Sequence, residues 1–364
     1  MDNVDEIYMR RALQLASLGE GNVSPNPMVG AVIVSDGRII GEGFHRCYGE
    51  GHAEVNAVAS VPDRSMLRGA TIYVTLEPCS HYGKTPPCAR LLIDCGFGRV
   101  VVGVRDPFPR VSGRGIAMLR EAGIEVTEGV LEEECRRINR RFITAHSRQM
   151  PWVMLKWAQS ADGFIDALRQ CSPASSVSGV QASAVAGAPV VFSTPVTSML
   201  MHRERAKVDA VIVGAGTVAA DNPSLTVRHW SSRRQPLRVV LGSIDALGQS
   251  PHLLSDGLPT LIFTETVSSL HSAPGAVEYV HINPHDLRSV LAQLYNCGIT
   301  SVMVEGGAAV LRSFIAQNLW NEARVETAPV CLCSGVEAPQ LTQKPVSSEI
   351  HGSNTIEWYE SSVK

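Results

Sequence analysis

Three residues that lie far apart along this chain carry the side chains of one metal site. His52-Ala53-Glu54 is followed 27 residues after the histidine by Pro78-Cys79, and Cys88 comes after eight intervening residues. One imidazole and two thiolates make a three-ligand zinc set. That set leaves a coordination position for water, whereas a structural site normally closes with four protein ligands. Singly, each thiol reads as a small buried hydrophobe and the histidine as a core residue. Together, with an acidic residue and prolines in register, they read as a catalytic site. Cys47, Cys95, Cys135, Cys171, Cys297, Cys331 and Cys333 show no such partner.

The residue types dictate the chemistry. Cys79 and Cys88 bind as thiolates and His52 as neutral imidazole, so the ion keeps enough field to acidify a bound water. Glu54 is the candidate catalytic residue: placed beside that water, it takes a proton and passes it to a leaving amine. Nucleobase deaminases carry H-x-E followed by P-C-x-x-C with the glutamate as acid/base. Here the interval between the cysteines is longer and holds Ser80 to Pro87. Closing a longer loop costs little, about 0.6 kcal/mol per doubling. The insert is therefore read as substrate-binding surface, with His81 and Lys84 as donors for an anionic or oxygen-rich substrate.

At 364 residues the chain fits two domains. The break is expected over Thr144 to Pro151, giving domains 1–146 and 151–364. A formal net charge of -3 argues against a general nucleic-acid binder, and nine cysteines in a long chain fit a reducing compartment better than a disulfide framework. Met1 to Glu6 lack the basic and apolar regions of a signal peptide and no run of 18 apolar residues occurs, so a cytoplasmic location with no membrane partner is expected.

In the first half, helices are expected over Ile7–Leu18, Cys88–Cys95, Gly115–Ala122 and Leu131–Phe142. Strands are expected over Val29–Val34, Arg38–Phe44, Ala70–Thr75, Arg99–Val104 and Ile124–Thr127. Asp36-Gly37 marks a hairpin. A helix starting near His52 would put His52 and Glu54 at one mouth; on a mid-helix surface they would diverge by about 200°. The order implies a helix-covered, mostly parallel sheet with both metal-binding segments at helix N-termini.

In the second half, Trp152–Trp157, Ala210–Val213, Leu237–Leu241, Thr260–Phe263 and Ser301–Val304 read as apolar strands. Asp166 to Ala188, rich in Ser, Ala and Gly, reads as a loop. Val211 to Thr217 and Val302 to Gly307 each run a strand into a glycine turn that lets backbone N–H groups approach a phosphate. Neither is G-x-G-x-x-G, and on their own they read as tight turns. Arg203, Lys207, Arg233 and Arg234 read as a solvated basic face.

Ser24-Pro25-Asn26-Pro27-Met28-Val29-Gly30, His52-Ala53-Glu54-Val55 and Thr75 to His81 through Thr85-Pro86-Pro87-Cys88 resemble the bifunctional riboflavin-biosynthesis deaminase/reductase family. Asp221-Asn222-Pro223-Ser224-Leu225-Thr226-Val227-Arg228 and Val304-Glu305-Gly306-Gly307 extend the resemblance over nearly the whole chain. It implies an α/β protein with an N-terminal cytidine-deaminase-like three-layer domain and a C-terminal dihydrofolate-reductase-like domain using NADPH. The implied substrate is a pyrimidine ribose phosphate, and the implied assembly is a homo-oligomer, dimer or tetramer. Cofactor positions implied by the resemblance are Ala158, Thr217, Asp221, Ser243 and Gly307. Substrate positions are Asn26, His81, Lys84, Lys156, Arg205, Leu225, Arg228 and Glu305.

The chain departs from the family pattern in two places. Pro189 to Phe192 stand where a serine and a tryptophan are common, and Ala328 to Cys333 alter an acidic and lysine-bearing segment. Competing readings are a tRNA or nucleoside deaminase, a deaminase with a degenerate reductase half, and a non-catalytic protein with structural zinc. The last predicts a fourth protein ligand.

Overall fold

The computed structural model describes residues 3–80, 86–107, 112–168, 189–247, 251–265 and 276–362. The chain divides into two compact units, Met1–Met150 and Pro151–Lys364. His81, Lys84, Cys171 and most of the Asp166 to Ala188 stretch lie outside the described residues.

The first unit runs α1 (Val4–Ser17), β1 (Gly30–Ser35), β2 (Arg38–Phe44), α2 (Ala53–Ser60), β3 (Thr71–Leu76), α3 (Cys88–Cys95), β4 (Arg99–Val104), α4 (Arg114–Glu121), β5 (Glu125–Glu128), α5 (Glu132–Ile138) and α6 (Arg140–Arg148). Its sheet has the order β2-β1-β3-β4-β5. The expectation of a mostly parallel sheet is corrected. β1 lies antiparallel to both β2 and β3, and only β3–β4 and β4–β5 are parallel. The reason is the hairpin itself: Asp36 and Gly37 take φ values of 50° and 72°, a turn that returns β2 alongside β1.

Strand alternation separates two apolar layers. Ala31 and Ile33 point into a core with Ala57 and Val58 of α2, Leu92 of α3 and Leu119 of α4. Val32 and Val34 point the other way, to Met9, Ala12 and Leu15 of α1 and Cys135 of α5. Helices thus cover both faces, a three-layer arrangement in which each buried valine or isoleucine contributes roughly 1.5–3 kcal/mol. The close fit of α2 needs glycine beneath it. A Cβ on Gly43 would stand 2.2 Å from the Ala57 nitrogen and 2.5 Å from the Ala53 oxygen.

The single helix expected over Leu131–Phe142 is two. Asn139 interrupts it, because its amide accepts from the Met28 N–H at 2.8 Å and donates to the Met28 carbonyl at 2.9 Å. The second helix, α6, runs to Arg148 through most of the stretch expected to break the pattern.

The second unit contains β6 (Trp152–Ser160), β7 (Phe164–Asp166), α7 (Pro195–Arg205), β8 (Ala210–Gly214), α8 (Ala215–Asp221), β9 (Leu237–Leu241), α9 (His252–Ser255), β10 (Thr260–Thr264), β11 (Val277–His281), α10 (Leu287–Asn296), β12 (Ser301–Gly306), α11 (Ala308–Ala316), β13 (Glu322–Ala328), β14 (Val336–Glu337), β15 (Ser347–His351) and β16 (Asn354–Glu360). The nine-stranded sheet is ordered β11-β10-β9-β8-β12-β6-β13-β16-β15. Strands from β11 through β13 are parallel, and β16 and β15 close one edge antiparallel. Both expected glycine turns sit at the carboxyl ends of neighbouring parallel strands, where open α/β sheets receive ligands. Among the described residues no helix is long and apolar enough to cross a membrane.

Candidate metal centre and a second cleft

His52 is the N-cap of α2, Cys79 follows β3, and Cys88 opens α3. The His52 Nδ1 lies 3.6 Å from the Cys79 Sγ and 3.3 Å from the Cys88 Sγ, and all three ligand atoms fall within 4.8 Å of one another. Tetrahedral zinc with ordinary Zn–N and Zn–S bonds spaces nitrogen and sulfur by about 3.6 Å and two sulfurs by about 3.8 Å. The donor set therefore fits zinc. Among the described residues, these three are the group that could hold a metal ion.

The thiols report the same need for a cation. Hydrogen bonding with Cys88, opposed by burial and aided by His52, pulls the Cys79 thiol down, while the Cys88 thiol is held up by Cys79 and by burial. Alone, the pair keeps one proton; a divalent ion lets both be thiolates. The Cys88 backbone N–H, at the start of α3, donates to the Cys79 Sγ at 3.2 Å. Glu54, in the first turn of α2 and 3% exposed, reaches the same pocket. Burial, with the nearby Cys79, pushes its carboxyl up to about 7.

Two supporting residues escaped the reading of the sequence. The His45 Nδ1 donates to the Gly51 carbonyl at 3.1 Å, so its Nε2 is free to accept from the Asn26 Nδ2, also at 3.1 Å. His45 thereby ties Asn26 to the turn that precedes His52, its ring 5.7 Å from that of His52. Glu77 is the second. Its buried carboxylate accepts from the amides of Asp106, Gly113, Gly115 and Ile116 at 2.9 to 3.4 Å, clamping the Pro78-Cys79 turn to the start of α4. The Glu-Pro-Cys triplet was its available signal.

The second unit has a cleft of about 520 Å³. Lys156, Trp157 and Ala158 of β6 line it, with Glu305 to Ala308 at the end of β12, Thr217 and Asp221 of α8, and residues 189–193. Backbone glycine shapes it: Gly306 has φ 139°, and a Cβ on Gly307 would come 3.0 Å from the Thr217 Oγ1. Strand ends, helix starts and that glycine cradle fit a dinucleotide phosphate.

Of the expected cofactor positions, Ala158, Thr217, Asp221 and Gly307 line the cleft, while Ser243 caps the short turn after β9 outside its lining. Lys156 and Glu305 face it from adjacent strands, and burial lowers the Lys156 ammonium despite the pull of Glu305. Arg205 is absent from the lining but grips the cleft residue Glu305 through Nε and Nη2 and donates to the Thr226 carbonyl. Leu225, 4% exposed with φ 54°, buries its side chain in the core. Arg228 is exposed, donates to the Thr226 hydroxyl at 3.2 Å and gives its backbone N–H to the His202 Nδ1.

The expected basic face is also corrected. Arg203 and Lys207 pair with the buried Glu204, and Arg234 pairs with the buried Asp209 at 2.7 Å; only Arg233 reads as simply solvated. The altered 328–333 segment is held by Asp162, whose carboxylate accepts from the amides of Leu332 and Cys333.

Residues 2–104 match the cytidine and deoxycytidylate deaminase zinc-binding region, and residues 151–356 match the RibD C-terminal domain. The chain is 40% identical over 348 residues to the riboflavin biosynthesis protein RibD of Bacillus amyloliquefaciens, covering 93% of this chain and 88% of that one. RibD of Escherichia coli (strain K12) is 34% identical over 372 residues, covering 94% and 96%. The crystal structure of a diaminohydroxyphosphoribosylaminopyrimidine deaminase/5-amino-6-(5-phosphoribosylamino)uracil reductase from Thermotoga maritima superposes with a TM-score of 0.84 at 37% identity, covering 98% of this chain and 99% of that one.

Proposed function

The chain belongs to the RibD family of bifunctional riboflavin-biosynthesis proteins, and from that premise we propose that it performs two successive reactions on one pyrimidine ribose phosphate. The first hydrolyses an exocyclic amine of a diamino-ribosylaminopyrimidinone phosphate to a carbonyl with loss of ammonia. The second reduces the ribosyl group to ribityl. The observation that carries the reading is the convergence of His52, Cys79 and Cys88 beside a buried glutamate, on the same chain as a cleft of about 520 Å³ bounded by glycines at strand ends.

His52, Cys79 and Cys88 would hold zinc, and Thr217, Asp221, Gly307, Ala158 and Ser243 are the proposed contacts to NADPH. When bound, zinc acidifies and orients water, and NADPH supplies hydride. The protein's own groups do the rest. Glu54, its carboxyl raised towards neutrality, takes a proton from the attacking water and delivers it to the departing nitrogen. Asn26, oriented by His45, and His81 and Lys84 of the inserted loop are proposed to hold the substrate there.

In the second site, Lys156 and Glu305 stand on the cleft floor and are proposed to meet the ribose, with Arg228 exposed towards the phosphate. Arg205 contributes by fixing the Glu305 carboxylate, and Leu225 through its backbone. A guanidinium fork suits a sugar phosphate in Arg228's case and a carboxylate in Arg205's. We further propose a cytoplasmic enzyme that assembles as a dimer or tetramer.

The test follows ammonia and NADPH consumption together on the pyrimidine phosphate. Glu54→Ala is expected to lower ammonia release roughly 10²–10⁴-fold while reduction of supplied deaminated intermediate continues. Loss of both activities in a folded variant would contradict two separable sites.

A further inference from the structure

One wall of the second cleft, residues 189–193, is neither helix nor strand, so its position depends on side-chain anchors. Those anchors converge on one buried carboxylate. Glu326, on β13 and fully buried, accepts from the Ser193 hydroxyl at 2.9 Å and from the Asn354 amide at 2.7 Å. The same Asn354 Nδ2 donates to the Phe192 carbonyl at 2.9 Å. Two consecutive wall residues are thus tied to one acid beneath them.

The neighbouring cation shows where this carboxylate is committed. Arg324, two residues away on the same strand and 1% exposed, brings its Nη1 only to 3.6 Å from the Glu326 Oε2. That is too long for a hydrogen bond. Among the described residues, both terminal nitrogens of Arg324 are buried without a hydrogen-bond partner. A carboxylate free to choose would close a forked pair with such a guanidinium, the stronger arrangement. Glu326 instead directs its oxygens to Ser193 and Asn354. β13 lies in register beside β6, with Glu326 opposite Ala158, so the acid stands next to the floor of the same cleft.

We infer that Glu326 is a positioning residue for the reductase cleft, setting the distance between the 189–193 wall and the β6 floor through Ser193 and through Asn354 to the Phe192 carbonyl. Glu326 itself is not among the residues that line the cleft. The inference rests on the reductase reading of this cleft, and a wild-type protein that fails to oxidise NADPH would remove that reading first.

The experiment compares Glu326→Leu, Glu326→Gln and Asn354→Ala with wild type, using ammonia release from the first unit as the control for intact protein. Glu326→Leu and Asn354→Ala are expected to raise the KM for NADPH or for the pyrimidine substrate about tenfold, the worth of one charge-assisted hydrogen bond, with kcat changing much less. Glutamine preserves an acceptor for Asn354 and a partner for Ser193, so Glu326→Gln is expected to keep KM near wild type. Hydrogen exchange followed by mass spectrometry, independent of turnover, should show faster exchange over 189–193 in the first two variants and not in the glutamine one. If Glu326→Leu does not fold, Asn354→Ala and Ser193→Ala decide the matter. Folded tether variants with unchanged KM and unchanged exchange over 189–193 would overturn the assignment.

Discussion

Arg205 and Glu305 form a forked ion pair, Nε and Nη2 each 2.7 Å from a carboxylate oxygen, with side chains only 6% and 10% exposed. Such a pair owes its importance to what remains if one member is lost. Arg205→Ala should destabilise the protein by about 3–5 kcal/mol, because it strands a buried carboxylate, whereas Arg205→Met with Glu305→Leu should recover much of that loss. Denaturant midpoints of the three proteins check this.

Gly43→Ala tests the seat of the metal-bearing helix. The added methyl meets backbone atoms of Ala53 and Ala57 rather than a side chain that can turn aside, so α2 must shift and carry His52 and Glu54 with it. A loss of about 1–3 kcal/mol is expected, together with weakened zinc retention and ammonia release. NADPH oxidation by the other unit should persist.

Glu77→Gln replaces one carboxylate oxygen by an amide donor, so either the Asp106 and Gly113 amides or those of Gly115 and Ile116 lose their acceptor. Because this clamp supports Cys79, zinc affinity measured by chelator competition should fall roughly 10–100-fold. Unchanged affinity would mean that the turn holds its shape without the clamp.

His202 gives a pH signature. Burial, helped by Arg205 and Arg228, lowers its imidazole from 6.5 to about 4. Between those values the unfolded chain binds a proton that the folded one refuses, so stability present above pH 6.5 is lost as pH falls towards 4, by at most about 3 kcal/mol. His202→Asn keeps an acceptor for the Arg228 amide and should flatten the unfolding profile in that window relative to wild type.

Much of this architecture could be read from residues whose pattern is local. Arg38–Phe44, Cys88–Cys95, Arg99–Val104 and Leu237–Leu241 carry the expected bounds because an apolar run, a turn or a capping signal marks each end. The clustering of His52, Cys79 and Cys88 was legible because one imidazole and two thiols in that spacing, with Glu54 beside them, suggest a shared pocket. β13 was not, since it buries Glu322, Arg324 and Glu326 on one face and so lacks the apolar alternation of a core strand. The exposed edge strand β15 had no apolar face to display. The break at Asn139 depends on Met28, 111 residues earlier, a contact that no window of sequence contains. Arg205 and Leu225 show the same limit within the site: family position identified them, but only packing reveals that one holds Glu305 and the other is buried.

Lys156 and Glu305 belong to adjacent parallel strands near the middle of a nine-stranded sheet, paired on both sides. Ladder pairing holds the two strands about 4.8 Å apart, while Glu305 itself falls at the register shift between Val304 and Gly306. Any evolutionary retuning towards a bulkier or differently charged reactant has to spare this rigid floor and act on the irregular segment facing it.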